Sequence, residues 1–228
     1  MSQQDQKDKV GKAVAEHPLI KDGAVIGIGT GSTVFPFIEA LGELVAGGLK
    51  ITTVVTSEDS KTKCEALDIK VVSIDSVEKI DIAIDGADEV DPKFNLIKGG
   101  GGALTREKEV DYKADYFVVI IDESKNVDTL GTFPLPVEVK KNVWEEVKKT
   151  LEKKLGCKAT LRGGDEPFVT DSNGHILDCK FEYITNPERL EKLINEIEGI
   201  VQNGIFTGDK VDEVWVGTDD DVIVKKNE

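Results

Sequence analysis

The amino-acid sequence predicts an α/β protein: a Rossmann-like, mostly parallel sheet with helices on both faces, plus a smaller ferredoxin-like α+β domain. Three observations carry this. Short apolar β-type runs alternate with helix-type segments through the first 121 residues, the pattern of a parallel sheet buried between helices. Glycine-rich, hydroxyl-rich or acidic turns follow the ends of several of these runs. A break at Phe133-Pro134-Leu135-Pro136 then opens a stretch in the order β-α-β-β-α-β, the split order of ferredoxin-like units. The expected domains are residues 1–131 with 207–228, and residues 132–206.

The first element is a short amphipathic helix from residue 5 to about 17, with Val10, Ala13 and Val14 at helical spacing. Lys9 and Lys12 lie on it and read mostly as solvated. Ala24–Ile28 is a buried-type strand. Gly29-Thr30-Gly31-Ser32-Thr33 follows, and then a helix from Val34 to Ala46. Gly29 and Gly31 permit the turn, Ser32 or Thr33 can cap the helix, and the loop's hydroxyls and N–H groups can hold phosphate. Ile51–Thr56 is the next strand, Ser57 to about Leu67 a helix, Lys70–Ile74 a third strand and Asp81–Ile84 a fourth. A helix to about Lys113 and the strand Tyr116–Ile121 complete the alternation. The smaller domain reads as strand Val137–Val139, helix Val143–Leu155, strand Ala159–Arg162, strand Ile176–Tyr183, helix Pro187–Glu198 and strand Ile200–Phe206. Two closing strands, Glu213–Gly217 and Val222–Val224, return to the first domain.

Composition narrows the function. The 228 residues carry a net charge of −15, which argues against nucleic acid or an anionic membrane as a main partner. No apolar run approaches the roughly 20 residues that span a bilayer. The polar start, Met1–Lys7, lacks the apolar core of a signal peptide, so the expected residence is cytoplasmic. Cys64, Cys157 and Cys179 form no CxxC and read as buried small apolar residues of a reduced compartment. The two histidines, His17 and His175, are isolated, which leaves no support for a structural zinc site or a Ser-His-Asp triad.

Ile97 to Glu107 is the centre of the chain. Gly99 to Gly102 leave the backbone free to bend and to approach a ligand. Lys98 precedes them, and Ala103-Leu104-Thr105-Arg106-Glu107-Lys108 reads as a helix start, whose free N–H groups suit an anion. Upstream, the strand Ile82-Ala83-Ile84 ends in Asp85-Gly86-Ala87-Asp88-Glu89. Ligands of such sheets sit beyond the strand carboxyl ends. Thr30–Thr33, Asp85–Asp88 and Asp122–Lys125 all follow those ends and converge on one edge. The pocket they suggest takes a small phosphorylated, hydroxyl-rich molecule. Two other loops are excluded. A Walker loop needs Gly-Lys-Ser/Thr, and no lysine stands here. A dinucleotide fingerprint would need glycine at Ser32 or Val34, with an acidic residue about 20 positions on.

These residues resemble the ribose-5-phosphate isomerase type A family. Gly27 to Thr33, Asp85 to Glu89, Lys98 to Gly101, Ala103 to Lys108, Ser124-Lys125, Phe133 to Val139 and Val216-Gly217-Thr218 follow one another in the family's order, across nearly the whole chain. The resemblance implies interconversion of D-ribose 5-phosphate and D-ribulose 5-phosphate in the pentose phosphate pathway, with no cofactor and no metal. It implies a homo-oligomer, usually a dimer, with a tetramer as the larger form. It makes Glu107 the proton-transferring base. Thr30, Gly31, Ser32, Thr33, Asp85, Gly86, Ala87, Asp88, Lys98, Gly99, Gly100, Gly101 and Lys125 are implied to contact the phosphosugar. Lys9 falls near a lysine that some members use for phosphate. One departure stands out: Gly102 replaces a common alanine, which is expected to loosen the turn slightly.

Aldose–ketose isomerisation needs a base, a partner for the developing oxyanion and a phosphate anchor. Glu107 fits the base. Lys98 and the glycine N–H groups fit the oxyanion partner. Asp85 and Asp88 can bind hydroxyls and shuttle a proton during ring opening. Ser32, Thr33, Lys125 and Lys9 fit the anchor. The alternatives are plainer: a solvated glutamate, a divalent-metal site at Asp85, Asp88 and Asp91 serving a hydride shift, a sugar-phosphate sensor without catalysis, or a CoA transferase on a similar sheet. Asp219–Asp221 reads as a solvated acidic turn.

Overall fold

A computed structural model describes residues 2–227. In chain order the elements begin with α1 (Gln3–Val14), β1 (Val25–Ile28), α2 (Phe35–Ala46), β2 (Thr52–Val55), α3 (Glu58–Ala66) and β3 (Ile82–Gly86). Then come β4 (Glu89–Val90), β5 (Leu96–Ile97), α4 (Leu104–Lys113), β6 (Phe117–Asp122), β7 (Leu135–Val139), α5 (Trp144–Leu155) and β8 (Lys158–Leu161). The chain closes with β9 (His175–Lys180), α6 (Pro187–Asn195), β10 (Ile200–Asn203), β11 (Ile205–Phe206), β12 (Glu213–Gly217) and β13 (Val222–Lys226).

Two compact units result. The first holds the residues up to Ala87, Arg106–Asn126 and Lys210 onward; the second holds Asp88–Thr105 and Val127–Asp209. The first unit is a six-stranded sheet in the order β13-β12-β6-β3-β1-β2. Its neighbours are parallel except for the antiparallel edge pair β12–β13. Every residue of β6 is buried, which explains its unbroken apolar run. Val10, Ile26, Ile28, Phe37, Leu41, Ile82, Ile84 and Ile120 share the core. Each such side chain contributes roughly 1.5–3 kcal/mol over leaving it exposed. The chain leaves β1 for β2 on one side and later adds β3 on the other. The strand order therefore reverses at the β1–β3 seam, the place where open α/β sheets leave a crevice.

The second unit contains a four-stranded antiparallel sheet in the order β10-β7-β9-β8, flanked in sequence by α5 and α6. That is the ferredoxin-like βαββαβ topology the sequence predicts. A three-stranded sheet, β11-β5-β4, belongs to the same unit. Ile97 and Ile205, which pair across it, also sit in this unit's core with Leu135, Val137, Leu151 and Leu177. That pairing draws residues 88–105 into the second unit, beyond the boundary expected at residue 132.

Two expected strands differ. Lys70–Ile74 makes only the isolated bridge Thr53↔Val71. The chain then turns into a single 3-10 turn, Ile74–Ser76, with the Ser73 hydroxyl accepting from Asp75 N–H. The expected strand Ile200–Phe206 breaks at Gly204. Its N–H donates to Pro136 O, and a Cβ there would meet Lys98 O at 2.3 Å. The two halves pair with different partners, β7 and β5. Among the described residues no helix is long and apolar enough to cross a membrane.

Candidate active site

In the first unit the loop after β1 sits at the switch point. Gly29 N–H donates to Ile84 O at 2.9 Å, which ties the loop to β3. Asp85, at the end of β3, is fully buried. Its Oδ1 accepts from Thr30 N–H at 3.1 Å and from its neighbour Gly86 N–H at 2.6 Å. The Thr30 hydroxyl lies 2.7 Å from Thr56 Oγ1 and donates to Ser57 Oγ at 2.8 Å. The Ser60 hydroxyl donates to Gly29 O at 2.6 Å. This hydroxyl cluster fixes the loop from beneath. Gly31 has φ +118° with open space where a Cβ would stand. The N-cap of α2 is Val34, with no side-chain cap bond. Neither Ser32 nor Thr33 caps the helix, so their hydroxyls are not spent there.

Helix α4 joins the parallel neighbours β3 and β6, so it runs antiparallel to them and its first turn stands at their carboxyl ends. A Cβ on Gly27 would meet Val110 Cγ1 at 2.8 Å, so the helix rests directly on β1. Glu107 lies about one turn nearer the helix start than Val110. It is 4 % exposed, an acidic side chain buried in the first turn.

The N-terminal helix closes this edge. Gln3 Nε2 donates to Asp122 Oδ1 and Ser124 Oγ, both at 3.1 Å, and Gln6 Nε2 donates to Glu123 and Asp219. Lys7 Nζ donates to Ser32 Oγ at 3.0 Å. Lys9 Nζ instead donates to the carbonyls of Thr218 and Asp219, at 3.0 and 2.9 Å. Lys125 ends the 3-10 turn Glu123–Lys125. Burial pushes the Asp122 carboxyl up, but hydrogen bonds from the Ser124 hydroxyl, Gln3 and Ser124 N–H, with the Lys7 charge, outweigh it and hold the group below the usual carboxylate range.

In the second unit Asp88 N–H donates to Ile97 O at 2.8 Å, and Asp88 Oδ2 accepts from Gly100 N–H at 2.7 Å. Lys98 is 2 % exposed, its Nζ 5.3 Å from the centre of the Phe206 ring. Gly99 has φ +94°, and a Cβ on it would meet Leu104 Cβ at 2.8 Å. Gly102 has φ +86°, and its Cβ would come within 2.6 Å of the Phe168 ring. The φ favours glycine at 102, and a side chain there would also have to displace the Phe168 ring. Asp91 closes a turn through Lys93 N–H, Asn95 N–H and Asn95 Nδ2. That carboxylate is structural.

Sequence reasoning missed three features of these loops. Lys7 entered the sequence reading only as the end of the polar start Met1–Lys7. The Thr56, Ser57 and Ser60 hydroxyls read as an ordinary strand end and helix start. Arg162, which donates to the carbonyls of Gly99 and Gly100, lies too far along the chain for any motif to include it.

The family profile described as "Ribose 5-phosphate isomerase A (phosphoriboisomerase A)" matches residues 52–221. The chain belongs to the ribose-5-phosphate isomerase A family. Among its relatives, "Ribose-5-phosphate isomerase A 1" of Oceanobacillus iheyensis is 44 % identical over 225 residues, spanning 97 % of this chain and all of that one. A solved structure of D-ribose-5-phosphate isomerase in complex with phospho-erythronic acid superposes with a TM-score of 0.95 at 42 % identity, covering 100 % of both chains. Ribose 5-phosphate isomerase A from Methanocaldococcus jannaschii gives 0.93 at 44 % identity, over 99 % of this chain and 100 % of that one. Family membership makes the chain an isomerase.

Proposed function

We propose that the chain interconverts D-ribose 5-phosphate and D-ribulose 5-phosphate, the isomerisation of the non-oxidative pentose phosphate pathway, through an enediolate. The observation that carries this reading is the burial of Glu107 on the first turn of α4, at the strand carboxyl ends where the hydroxyl-rich loop also stands. A relative bound to phospho-erythronic acid supports a phosphorylated, hydroxyl-bearing ligand.

In the ring-opened aldose, Glu107 removes the proton from C2, and the electron pair moves into the C1–C2 bond while O1 takes up negative charge. The carboxylic acid then returns the proton to C1 while the proton on O2 passes to O1, so that O2 becomes the ketose carbonyl and O1 the new hydroxyl. Lys98 and the N–H groups of Gly99 and Gly101 stabilise the oxyanion, where one well-placed donor is worth about 3–4 kcal/mol, while Gly100 N–H holds Asp88. Asp85 and Asp88 bind hydroxyls and shuttle the proton of ring opening, and Gly86 and Ala87 shape that turn. Thr30 and Gly31 position the loop. Ser32, Thr33, Lys125 and Lys7 anchor the phosphate, and Lys9, committed to the carbonyls of Thr218 and Asp219, holds α1 in place. The working form is a cytoplasmic homodimer.

Glu107→Gln tests the base. With EDTA present throughout, wild type is expected to form ketose from ribose 5-phosphate. The variant is expected to bind the substrate yet lose at least about 10²-fold in kcat, the lower end of what a general base supplies. Near-normal turnover in the variant would remove Glu107 from this role.

A further inference from the structure

We propose that Arg162, gripped by Asp178, is a positioning residue that holds Gly100 N–H on Asp88 and turns Gly101 N–H toward the oxyanion; this rests on the isomerase reading above. Arg162 directly follows β8, and Asp178 lies on the adjacent strand β9. Nε donates to Asp178 Oδ2 at 3.0 Å and Nη2 to Asp178 Oδ1 at 2.5 Å. This is a two-pronged grip that fixes the plane of the guanidinium. The remaining nitrogen, Nη1, donates to Gly99 O and Gly100 O, each at 3.1 Å.

A peptide unit is planar, with its C=O and the following N–H pointing in opposite directions. Drawing Gly99 O toward Arg162 sends Gly100 N–H the other way, where Asp88 Oδ2 receives it at 2.7 Å. Drawing Gly100 O toward Arg162 likewise sends Gly101 N–H away from the guanidinium, and Gly101 is exposed. Four consecutive glycines impose almost no orientation of their own. Within the loop, Gly102 N–H, which donates to Gly99 O at 2.9 Å, adds to this; Arg162 and Asp88 hold the two peptide planes from opposite sides. Positive charge on the carbonyl side also polarises each peptide and strengthens its N–H as a donor. A purely structural ion pair with Asp178 would not require the two additional bonds to the loop. Lysine could not replace this arrangement, because a single ammonium cannot grip a carboxylate on two prongs and hold two carbonyls in fixed geometry.

The test is steady-state kinetics of the full chain on ribose 5-phosphate for Arg162→Ala, Arg162→Lys and Asp178→Asn. Arg162→Ala is expected to lose about 10²-fold in kcat, the cost of a displaced oxyanion donor, with KM within about threefold of wild type. Arg162→Lys should recover less than about tenfold of that loss. Low-millimolar guanidinium should raise kcat of Arg162→Ala and leave wild type unchanged. Should Arg162→Ala not fold, Asp178→Asn carries the test through a loss in kcat at constant KM. An Arg162→Ala enzyme that keeps more than about a third of wild-type kcat, or loses only in KM, overturns the assignment; so does unaltered kcat in Asp178→Asn. A wild type inactive on ribose 5-phosphate would remove the isomerase reading together with this one. An active wild type with an unimpaired Arg162→Ala would remove this one alone.

Discussion

Gly29 and Asp85 are so close that a Cβ on the glycine would stand 1.8 Å from Asp85 Oδ1. The carboxylate occupies the volume any side chain at 29 would need. Asp85 is itself fully buried and accepts the N–H of Thr30, so it cannot withdraw without releasing the loop. Gly29→Ala is expected to lower kcat/KM for ribose 5-phosphate by at least about 10²-fold, because the displacement exceeds the tolerance of a catalytic arrangement. Kinetics alongside a thermal melt would check this, and a fully active Gly29→Ala would contradict it.

Lys7 and Lys9 are two residues apart on α1 and do different things. Lys7 Nζ is committed to Ser32 Oγ, a hydroxyl that phosphate oxygens can replace. Lys9 Nζ is committed to two main-chain carbonyls. Lys7→Met is expected to raise KM for ribose 5-phosphate about tenfold, the worth of one charge-assisted hydrogen bond, with less effect on kcat. Lys9→Met should act mainly on stability. Initial-rate kinetics on both variants would separate them, and the opposite ranking in KM would reverse the assignment.

Gly102 combines a left-handed backbone with a ring against its open side. Gly102→Ala is expected to destabilise the protein by about 1–3 kcal/mol, from the φ alone and more from the Phe168 clash. Adding Phe168→Ala should return the steric part and leave the backbone part. Denaturant unfolding of the single and double variants measures both portions; a double variant no more stable than Gly102→Ala would rule out the clash.

His17 gives the acid limb of stability. It is 7 % exposed, with ring centres of Tyr116 and Trp215 at 5.5 and 6.0 Å. Burial lowers its pKa below the ordinary 6.5, outweighing the Glu213 carboxylate 3.6 Å away. In the window just below 6.5 the unfolded chain binds a proton that the folded chain refuses, so stability falls as pH falls. Melting temperature is expected to drop from pH 7 toward 5, by about 2–4 °C per kcal/mol lost. His17→Leu should flatten that drop. Asp122 and Glu213, whose pKa values are lowered, affect stability only at still lower pH. An identical acid drop in wild type and variant would exclude His17 as its source.

Much of this architecture is legible in the residues, for physical reasons. β6 is buried on both faces, so its apolar run is continuous and unmistakable. The βαββαβ unit follows from alternating periods between turn residues. Strands β4 and β5 are two residues each, too short for any period to register. Their pairing nonetheless moves residues 88–105 into the second unit. Lys70–Ile74 has strand composition but only one bridge beside β2, a decision made by tertiary pairing. Glu107, Asp85 and Lys98 could be singled out because charged residues stand beside glycine turns at a strand end and a helix start, in the family's motif order. Arg162 could not, since its partners lie 63 and 62 positions away. Lys7 could not, since its role depends on α1 lying over the loop after β1.

The first unit's sheet is assembled from segments far apart in the chain. β12, in the last segment, lies between β6 and β13, and α1 rests on it so tightly that a Cβ on Gly217 would meet Gln6 O at 2.2 Å. During synthesis β6 must therefore wait with an unpaired edge until β12 leaves the ribosome, whereas the residues of the second unit, up to Asp209, have all emerged earlier. Nascent chains stalled before β12 should expose a sticky hydrogen-bonding edge, which makes β12 the segment on which folding yield in the cell depends.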